Sequence, residues 1–116
     1  MADDVTVYYN ARCSKCRTAK TLLDEQGVAA TYYRYLDHAP TRDQIEAVIA
    51  KLGIDDPRAM MRTGESAYED LGLADADADA LIDAMATHPI LIERPIVVVG
   101  DRAVIARPPE RALDLF

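Results

Sequence analysis

Hydrophobic and polar positions alternate with period two at residues 5–9, which are rich in β-branched and aromatic side chains. This pattern predicts a strand. Over residues 14–26 the apolar positions recur with helical spacing, and Gly27 follows as a stop signal. Cys13 is therefore predicted to lie where a short loop after the first strand leads into the first helix.

The remaining strands follow from similar patterns. Residues 31–36 predict a second strand, and because a helix links it to the first, parallel pairing is favoured. Residues 96–99 predict a buried strand, and a two-residue turn at 100–101 leads into a fourth strand at 103–106. A last helix is predicted from Pro109 to the end of the chain.

Between the second and third strands, about residues 41–88, every periodic segment is helical. Two helix starts have the spacing of a capping box, in which Ser or Thr is followed three residues later by Gln or Glu. These pairs are Thr41 with Gln44 and Ser66 with Glu69. Asp56 before Pro57 predicts a short helix. The acidic repeat at 75–80 predicts another start, since acids are favourable near a helix N-terminus.

The element order predicts an α/β fold. It runs strand–helix–strand, a helical insertion, then strand–strand–helix, which gives a four-stranded mixed sheet with flanking helices and resembles the thioredoxin superfamily. The chain of 116 residues is long enough to bury one continuous core. We therefore expect a single domain spanning 1–116, with the helical insertion at about 41–88.

The charge and composition of the chain limit the classes of molecule that it is expected to bind. Thirteen Lys and Arg against 20 Asp and Glu give a net charge of -7, so we expect no direct binding of nucleic acid or membrane. The acidic start at residues 1–4 lacks the features of a signal peptide, and we expect a cytoplasmic monomer. In that compartment two cysteines three positions apart are typical of redox or metal chemistry.

The strongest chemical feature is the motif Cys13-Ser14-Lys15-Cys16. A cysteine at the start of a helix feels unpaired N–H groups and the positive end of the helix dipole, both of which favour the thiolate. Arg12, Lys15 and Arg17 add positive charge in the same turn. We predict Cys13 as a nucleophile, with Cys16 one turn further in and less exposed.

These cysteines have three alternative interpretations. Both could be small buried hydrophobes, because free cysteine is often buried. A closed zinc site needs about four ligands, and only His38 and His88 remain beside the two thiols, so no metal is expected. The loop of cysteine-based phosphatases has an arginine six positions after the nucleophile, where this chain has Ala19.

Three arginines are candidates for an anion site, because the guanidinium presents a planar fork of donors. Arg94 precedes Pro95 and the third strand. In thioredoxin-like proteins a cis-proline enters the strand facing the active cysteine, and a cis Pro95 would deliver Arg94 to Cys13. Arg62 and Arg107 lie beside apolar or turn residues. Taken singly, Arg62 and Arg107 are each more often a surface charge than a ligand, and the alternative for Arg94 is a solvated side chain before a proline that merely starts a strand.

Motifs along nearly the whole chain resemble the glutaredoxin-linked (ArsC-like) arsenate reductases. These motifs are YYNARC (8–13), YL (35–36), PTRD (40–43), RAMMR (58–62), YEDLGL (68–73), HPILIERPIVV (88–98) and RP (107–108). The resemblance implies that Cys13 is the nucleophile. It also implies that an oxyanion is bound by the three arginines Arg62, Arg94 and Arg107. Supporting residues near the site are Asn10, Arg12 and Pro95.

The resemblance also implies a reaction. The Cys13 thiolate attacks arsenate, a small thiol such as glutathione then attacks the adduct, and arsenite leaves. Glutaredoxin reduces the resulting mixed disulfide. No bound cofactor is expected, and the thiol is a co-substrate.

Two departures and one competing family bear on this interpretation. Cys16 gives the chain a resolving thiol that many family members lack, which makes thioredoxin an alternative reductant. Tyr9 stands where better-known members have histidine. Spx-type transcriptional regulators share the fold and a C-x-x-C switch, and they bind RNA polymerase. Arg107 followed by proline, together with the Arg62 segment, favours the reductases over these regulators.

Overall fold

The first strand, first helix and second strand form where the sequence predicts them. In the computed structural model, which describes residues 4–116, they are β1 (Val5–Tyr8), α1 (Ser14–Glu25) and β2 (Thr31–Tyr33). The pairing of β1 with β2 is parallel, as predicted. Gly27 adopts a φ of 70° just after α1, in agreement with its predicted role as a stop.

The last two strands complete a mixed sheet. β3 (Ile96–Val99) and β4 (Arg102–Ile105) are joined by the predicted two-residue turn, in which Gly100 has a φ of 59°. β3 pairs antiparallel with both β1 and β4, and the strand order is β2-β1-β3-β4. The predicted four-stranded mixed sheet is confirmed.

Helices occupy the chain between β2 and β3. They are α2 (Arg42–Leu52), α3 (Ser66–Asp70) and α4 (Ala78–Thr87), with short 3₁₀ helices at Pro57–Met60, Leu73–Asp75 and Pro89–Leu91. The contacts divide the described chain into two compact units. One, the sheet unit, comprises residues 4–35 and 94–116, and the other, the helical unit, comprises residues 36–93. The predicted insertion, 41–88, falls within the helical unit.

Each unit buries an apolar core of its own. In the sheet unit α1 packs on one face of the sheet with the C-terminal 3₁₀ helix Pro109–Leu113. Buried residues of this layer are Val5, Val7, Tyr9, Cys13, Cys16, Ala19, Leu23, Val97, Val99, Val104, Ala106 and Ala112. Buried residues of the helical unit include Ile45, Val48, Met60, Leu81, Met85 and Leu91.

Helix caps show which local signals were correct. At α2 the Thr41 hydroxyl accepts from the backbone N–H of Gln44 at 3.2 Å, and Oε1 of Gln44 accepts from the N–H of Thr41 at 2.8 Å. This capping box is confirmed. The second predicted box is wrong, because α3 is preceded by Glu65 and Ser66 is already its first helical residue. Ser66 therefore lies one position too far along to act as the cap.

Two predicted elements are shorter in the structure. β2 ends at Tyr33 and not at residue 36, because the N–H of Tyr35 turns back to the carbonyl of Tyr33 at 3.0 Å and leaves the strand direction. The last helix is a 3₁₀ helix over Pro109–Leu113 and does not reach the end of the chain.

Part of the sequence interpretation lies outside the structure. Residues 1–3, on which the expected absence of a signal peptide partly depends, are outside the described residues. Within the described chain, no helix combines the length and the apolar character needed to span a membrane.

Candidate active site

A tight loop after β1 delivers Cys13 to the start of α1. Oδ1 of Asn10 accepts from the backbone N–H of Arg12 at 3.0 Å, and the Asn10 carbonyl accepts from the N–H of Cys13 at 3.0 Å. Cys13 is the N-cap residue of α1, with extended backbone angles. Asn10 thus fixes the turn that places the sulfur at the positive end of the helix.

The surroundings of the Cys13 sulfur favour loss of its proton. Burial by itself raises the pKa of Cys13, but three donors outweigh it: the backbone N–H of Cys16, the guanidinium of Arg94 and the thiol of Cys16. The pKa of Cys13 is lowered as a result. The residue as a whole is 9% exposed, so Cys13 is largely buried without being completely enclosed.

Cys16 has the opposite character. It lies one helical turn further along α1 and has no exposed surface. Burial is the main cause that raises its pKa to about 12, and the hydrogen bond and charge of Cys13 add to this. The two cysteines are free thiols. Of the two thiols, Cys13 is therefore the one that loses its proton more readily, and the Cys16 thiol donates a hydrogen bond to its sulfur.

The segment before β3 brings an arginine to this thiolate. The Arg94–Pro95 peptide bond is cis. This is the conformation typical of thioredoxin-like proteins at this position, which the sequence alone could not establish. The Arg94 side chain donates to the Cys13 sulfur. Although burial lowers the pKa of Arg94, this contact and the charge of Cys13 raise it overall.

Arg107, two residues after the end of β4, supports the same segment. Its Nη1 donates to the carbonyl of Arg94 at 2.8 Å, and the N–H of Ala106 donates to the carbonyl of Pro95 at 2.9 Å. The Arg107–Pro108 bond is also cis. In the sheet unit the structure thus brings together Cys13, Cys16, Arg94 and Arg107.

Two of the predicted site residues have other surroundings. Arg62 belongs to the helical unit, where its side chain pairs with Glu65 at 2.7 Å and lies 3.9 Å from Glu93. The side chain of Arg12 is exposed, so its contribution to the site is its backbone N–H on Asn10 and a nearby positive charge.

One neighbour of the site was not singled out from the sequence. Tyr35 is completely buried just after β2, and its pKa is raised mainly by burial and partly by the charges of Cys16 and Cys13, with Arg94 acting in the opposite direction. The predicted parallel pairing of β1 and β2 could have identified Tyr35 as a neighbour of the site. Because β1 and β2 are parallel, the residues that follow them meet at one edge of the sheet.

Metal-ligating side chains are not gathered at this site. Among residues 4–116 no three His, Cys, Asp or Glu side chains are grouped closely enough to hold a metal ion. His38 and His88 both lie in the helical unit.

The sheet order, a cysteine of lowered pKa at the start of the first helix and a cis-proline before the third strand define a thioredoxin-like thiol protein. The model of the ArsC family matches residues 8–115, and the chain belongs to this family. A Neisseria meningitidis protein named arsenate reductase is 42% identical over 109 residues, covering 92% of this chain and 93% of that protein.

Two further relatives are similar over nearly the whole chain. The chain is similar to a solved structure described as arsenate reductase from Vibrio cholerae, with a TM-score of 0.96, 42% identity and 100% coverage of both chains. It is also 40% identical over 117 residues to an uncharacterised Escherichia coli protein, YfgD, covering 99% of this chain and 98% of the relative.

Proposed function

We propose that this protein is an arsenate reductase that reduces arsenate to arsenite with electrons from thiols. The observation that carries the proposal is the Cys13 sulfur in contact with the Arg94 guanidinium, which lowers the pKa of Cys13, in a chain 42% identical to a protein named arsenate reductase. An anionic nucleophile beside a permanently charged fork of donors suits a tetrahedral oxyanion.

The first step joins sulfur to arsenic. The Cys13 thiolate attacks arsenic of protonated arsenate, an S–As bond forms, and one oxygen leaves as water after taking up protons. Arg94 and Arg107 lie in the unit that carries Cys13 and stabilise the oxyanion. Arg62, which the RAMMR segment marks by resemblance as a third candidate ligand, lies in the helical unit, and its part in binding the oxyanion stays a prediction.

The second step transfers two electrons. A thiol such as glutathione attacks the Cys13 sulfur, the S–As bond breaks, and its electron pair stays on arsenic, which becomes trivalent and leaves as arsenite. The two electrons come from the two sulfurs, which end as a mixed disulfide. Glutathione is a co-substrate here, and the reaction needs no bound cofactor.

Cys16 gives a second route for resolving this disulfide. When Cys13 enters a mixed disulfide it loses its negative charge, and with it one of the causes that raise the pKa of Cys16. The Cys16 thiolate then attacks Cys13, the small thiol leaves, and a Cys13–Cys16 disulfide forms. A dithiol protein such as thioredoxin reduces that disulfide, whereas glutaredoxin reduces the mixed disulfide.

The test is arsenate-dependent NADPH oxidation by the purified protein. It is run once with glutathione, glutaredoxin and glutathione reductase, and once with thioredoxin and its reductase. We expect Cys13→Ser to abolish turnover in both systems, since no other described thiol has the character of a thiolate. We expect Cys16→Ser to remove turnover with thioredoxin and to spare turnover with glutaredoxin.

The same assay separates the alternatives. Full activity of Cys13→Ser would end the proposed mechanism. Equal rates for Cys16→Ser and wild type with both reductants would exclude Cys16 as a resolving thiol. Silence of the wild type in both systems favours the second candidate, a redox-sensing regulator that uses a Cys13–Cys16 disulfide. The hydrogen bond between the two sulfurs supports that candidate, and RNA polymerase binding tests it.

A further inference from the structure

The two cysteines at the start of α1 lie on the same side of the helix. Cys13 is the N-cap, and its carbonyl accepts from the N–H of Arg17 at 3.1 Å, so the first helical turn begins at Cys13. Residues three apart on a helix are neighbours, and an N-cap side chain points towards the third helical residue, which here is Cys16. Both cysteines are buried in the core of the sheet unit, whereas Ser14 and Lys15 between them are exposed. The first turn therefore presents two thiols on one buried face.

The two thiols differ in how readily they react. Both are free. Against the effect of burial, hydrogen bonds to the Cys13 sulfur lower its pKa, while burial raises the pKa of Cys16 to about 12. Cys13 therefore reacts first, and Cys16 keeps its proton until an electrophile is held beside it. A ligand that forms bonds to both sulfurs and accepts the proton of Cys16 would use the whole pair.

The number of donors selects the kind of ligand. Over residues 4–116, no third His, Cys, Asp or Glu side chain is grouped with these thiols. A closed zinc site needs about four ligands, so two sulfurs are too few for it. Trivalent arsenic is a soft centre that binds three ligands and prefers sulfur. Two thiols fill two of its positions, and a hydroxyl fills the third.

We propose that Cys13 and Cys16 together form a dithiol site that binds trivalent arsenic in a ring closed by two As–S bonds. The Cys13 thiolate attacks the arsenic of arsenous acid, and one hydroxyl takes up a proton from solvent and leaves as water. The Cys16 sulfur then forms the second As–S bond, and its proton leaves with a second hydroxyl as water. Arsenic stays trivalent and both sulfurs keep their oxidation state, so the step needs no oxidant or reductant.

This binding goes beyond the proposed function, because it requires neither arsenate nor a source of electrons. Once Cys13 holds the arsenic, the bond to Cys16 is intramolecular, which strengthens binding without any further contact. The ring also occupies both sulfurs, so it competes with the Cys13–Cys16 disulfide. Retention of arsenite as a reaction product rests on the proposed function, but the binding itself does not. An experiment without arsenate therefore distinguishes the failure of one proposal from the failure of the other.

The experiment is equilibrium dialysis of the reduced protein against sodium arsenite under nitrogen, with the bound arsenic counted by elemental mass spectrometry. We expect the wild type to bind one arsenic atom per chain. Cys16→Ala should weaken binding by about a hundredfold or more, because only one As–S bond remains. Ser14→Ala is the matched control, since it changes an exposed residue between the two thiols and should bind as the wild type does. Equal affinities of Cys16→Ala and wild type, or no binding by the wild type, would overturn the proposal.

A second measurement uses the wild type alone and so does not depend on the folding of a variant. Arsenic is first loaded onto the protein and then removed with increasing amounts of a small thiol. Dithiothreitol should remove it at a far lower thiol concentration than glutathione, because only a dithiol replaces both As–S bonds at once. Removal by the two reagents at the same thiol concentration would show that arsenic is held by a single sulfur and would refute the dithiol site.

Discussion

Arg107 acts on the site through the backbone. Its Nη1 donates to the carbonyl of Arg94 at 2.8 Å, so it fixes the segment from which the Arg94 side chain reaches Cys13. Sequence alone identified Arg107 by family resemblance, because no periodicity relates it to Arg94. The contact depends on the antiparallel pairing of β3 with β4, which places the segments flanking these strands side by side.

We expect Arg107→Ala to raise the KM for arsenate by about tenfold or more, since a hydrogen bond from a charged donor contributes about 1.5–3 kcal/mol. Arg111→Ala is the control, because it removes the same charge from an exposed position in the C-terminal 3₁₀ helix. Steady-state kinetics with arsenate measures both. Equal KM values for Arg107→Ala and wild type would place Arg107 outside the anion site.

At the scale of elements, the sequence predicts which segments form strands and helices and in what order, but not the residues at which each element ends. The four strands and their parallel or antiparallel pairing follow from local patterns and from the linking helix. The early end of β2 depends on a backbone hydrogen bond from the N–H of Tyr35 to the carbonyl of Tyr33. No pattern of side chains predicts this hydrogen bond. Likewise Tyr35 becomes a neighbour of Cys13 only because β1 and β2 end at the same edge.

The two predicted capping boxes provide a matched pair for stability. We expect Thr41→Ala to lower the free energy of unfolding by about 1 kcal/mol, because it removes the cap of α2. Ser66→Ala should change the free energy of unfolding by only a few tenths of a kcal/mol, since Ser66 is exposed and lies inside α3 rather than at its cap. Urea unfolding measures both variants. A loss at Ser66 as large as at Thr41 would contradict the assignment of these caps.

At the scale of the whole molecule, the net charge conceals an uneven distribution. Residues 36–93 have 13 Asp and Glu against four Lys and Arg, a net charge of -9, whereas the rest of the chain has seven against nine, a net charge of +2. The acidic composition of the whole chain underlies the expectation that it does not bind nucleic acid, yet it says nothing about the charge of the unit that carries Cys13. Around this cysteine lie the exposed cations Arg12, Lys15 and Arg17.

This local cluster should draw anions to Cys13, and the effect should weaken with salt. We expect iodoacetate, an anion, to alkylate Cys13 faster relative to neutral iodoacetamide at low salt. The preference should fall as NaCl rises from about 0.01 M to about 1 M, since the screening length shrinks from roughly 30 Å to roughly 3 Å. Lys15→Gln should reduce the preference at low salt.

Arg102→Gln is the control for this charge change. Arg102 pairs with Val99, which pairs with Val5 at the start of β1, whereas Cys13 follows the end of that strand. Arg102 therefore lies near the end of the sheet where β1 begins, opposite the end that carries Cys13. Its replacement should leave the preference for iodoacetate unchanged. A preference that is independent of salt, or equally reduced by both variants, would show that the cations beside Cys13 do not attract anionic reactants to the thiolate.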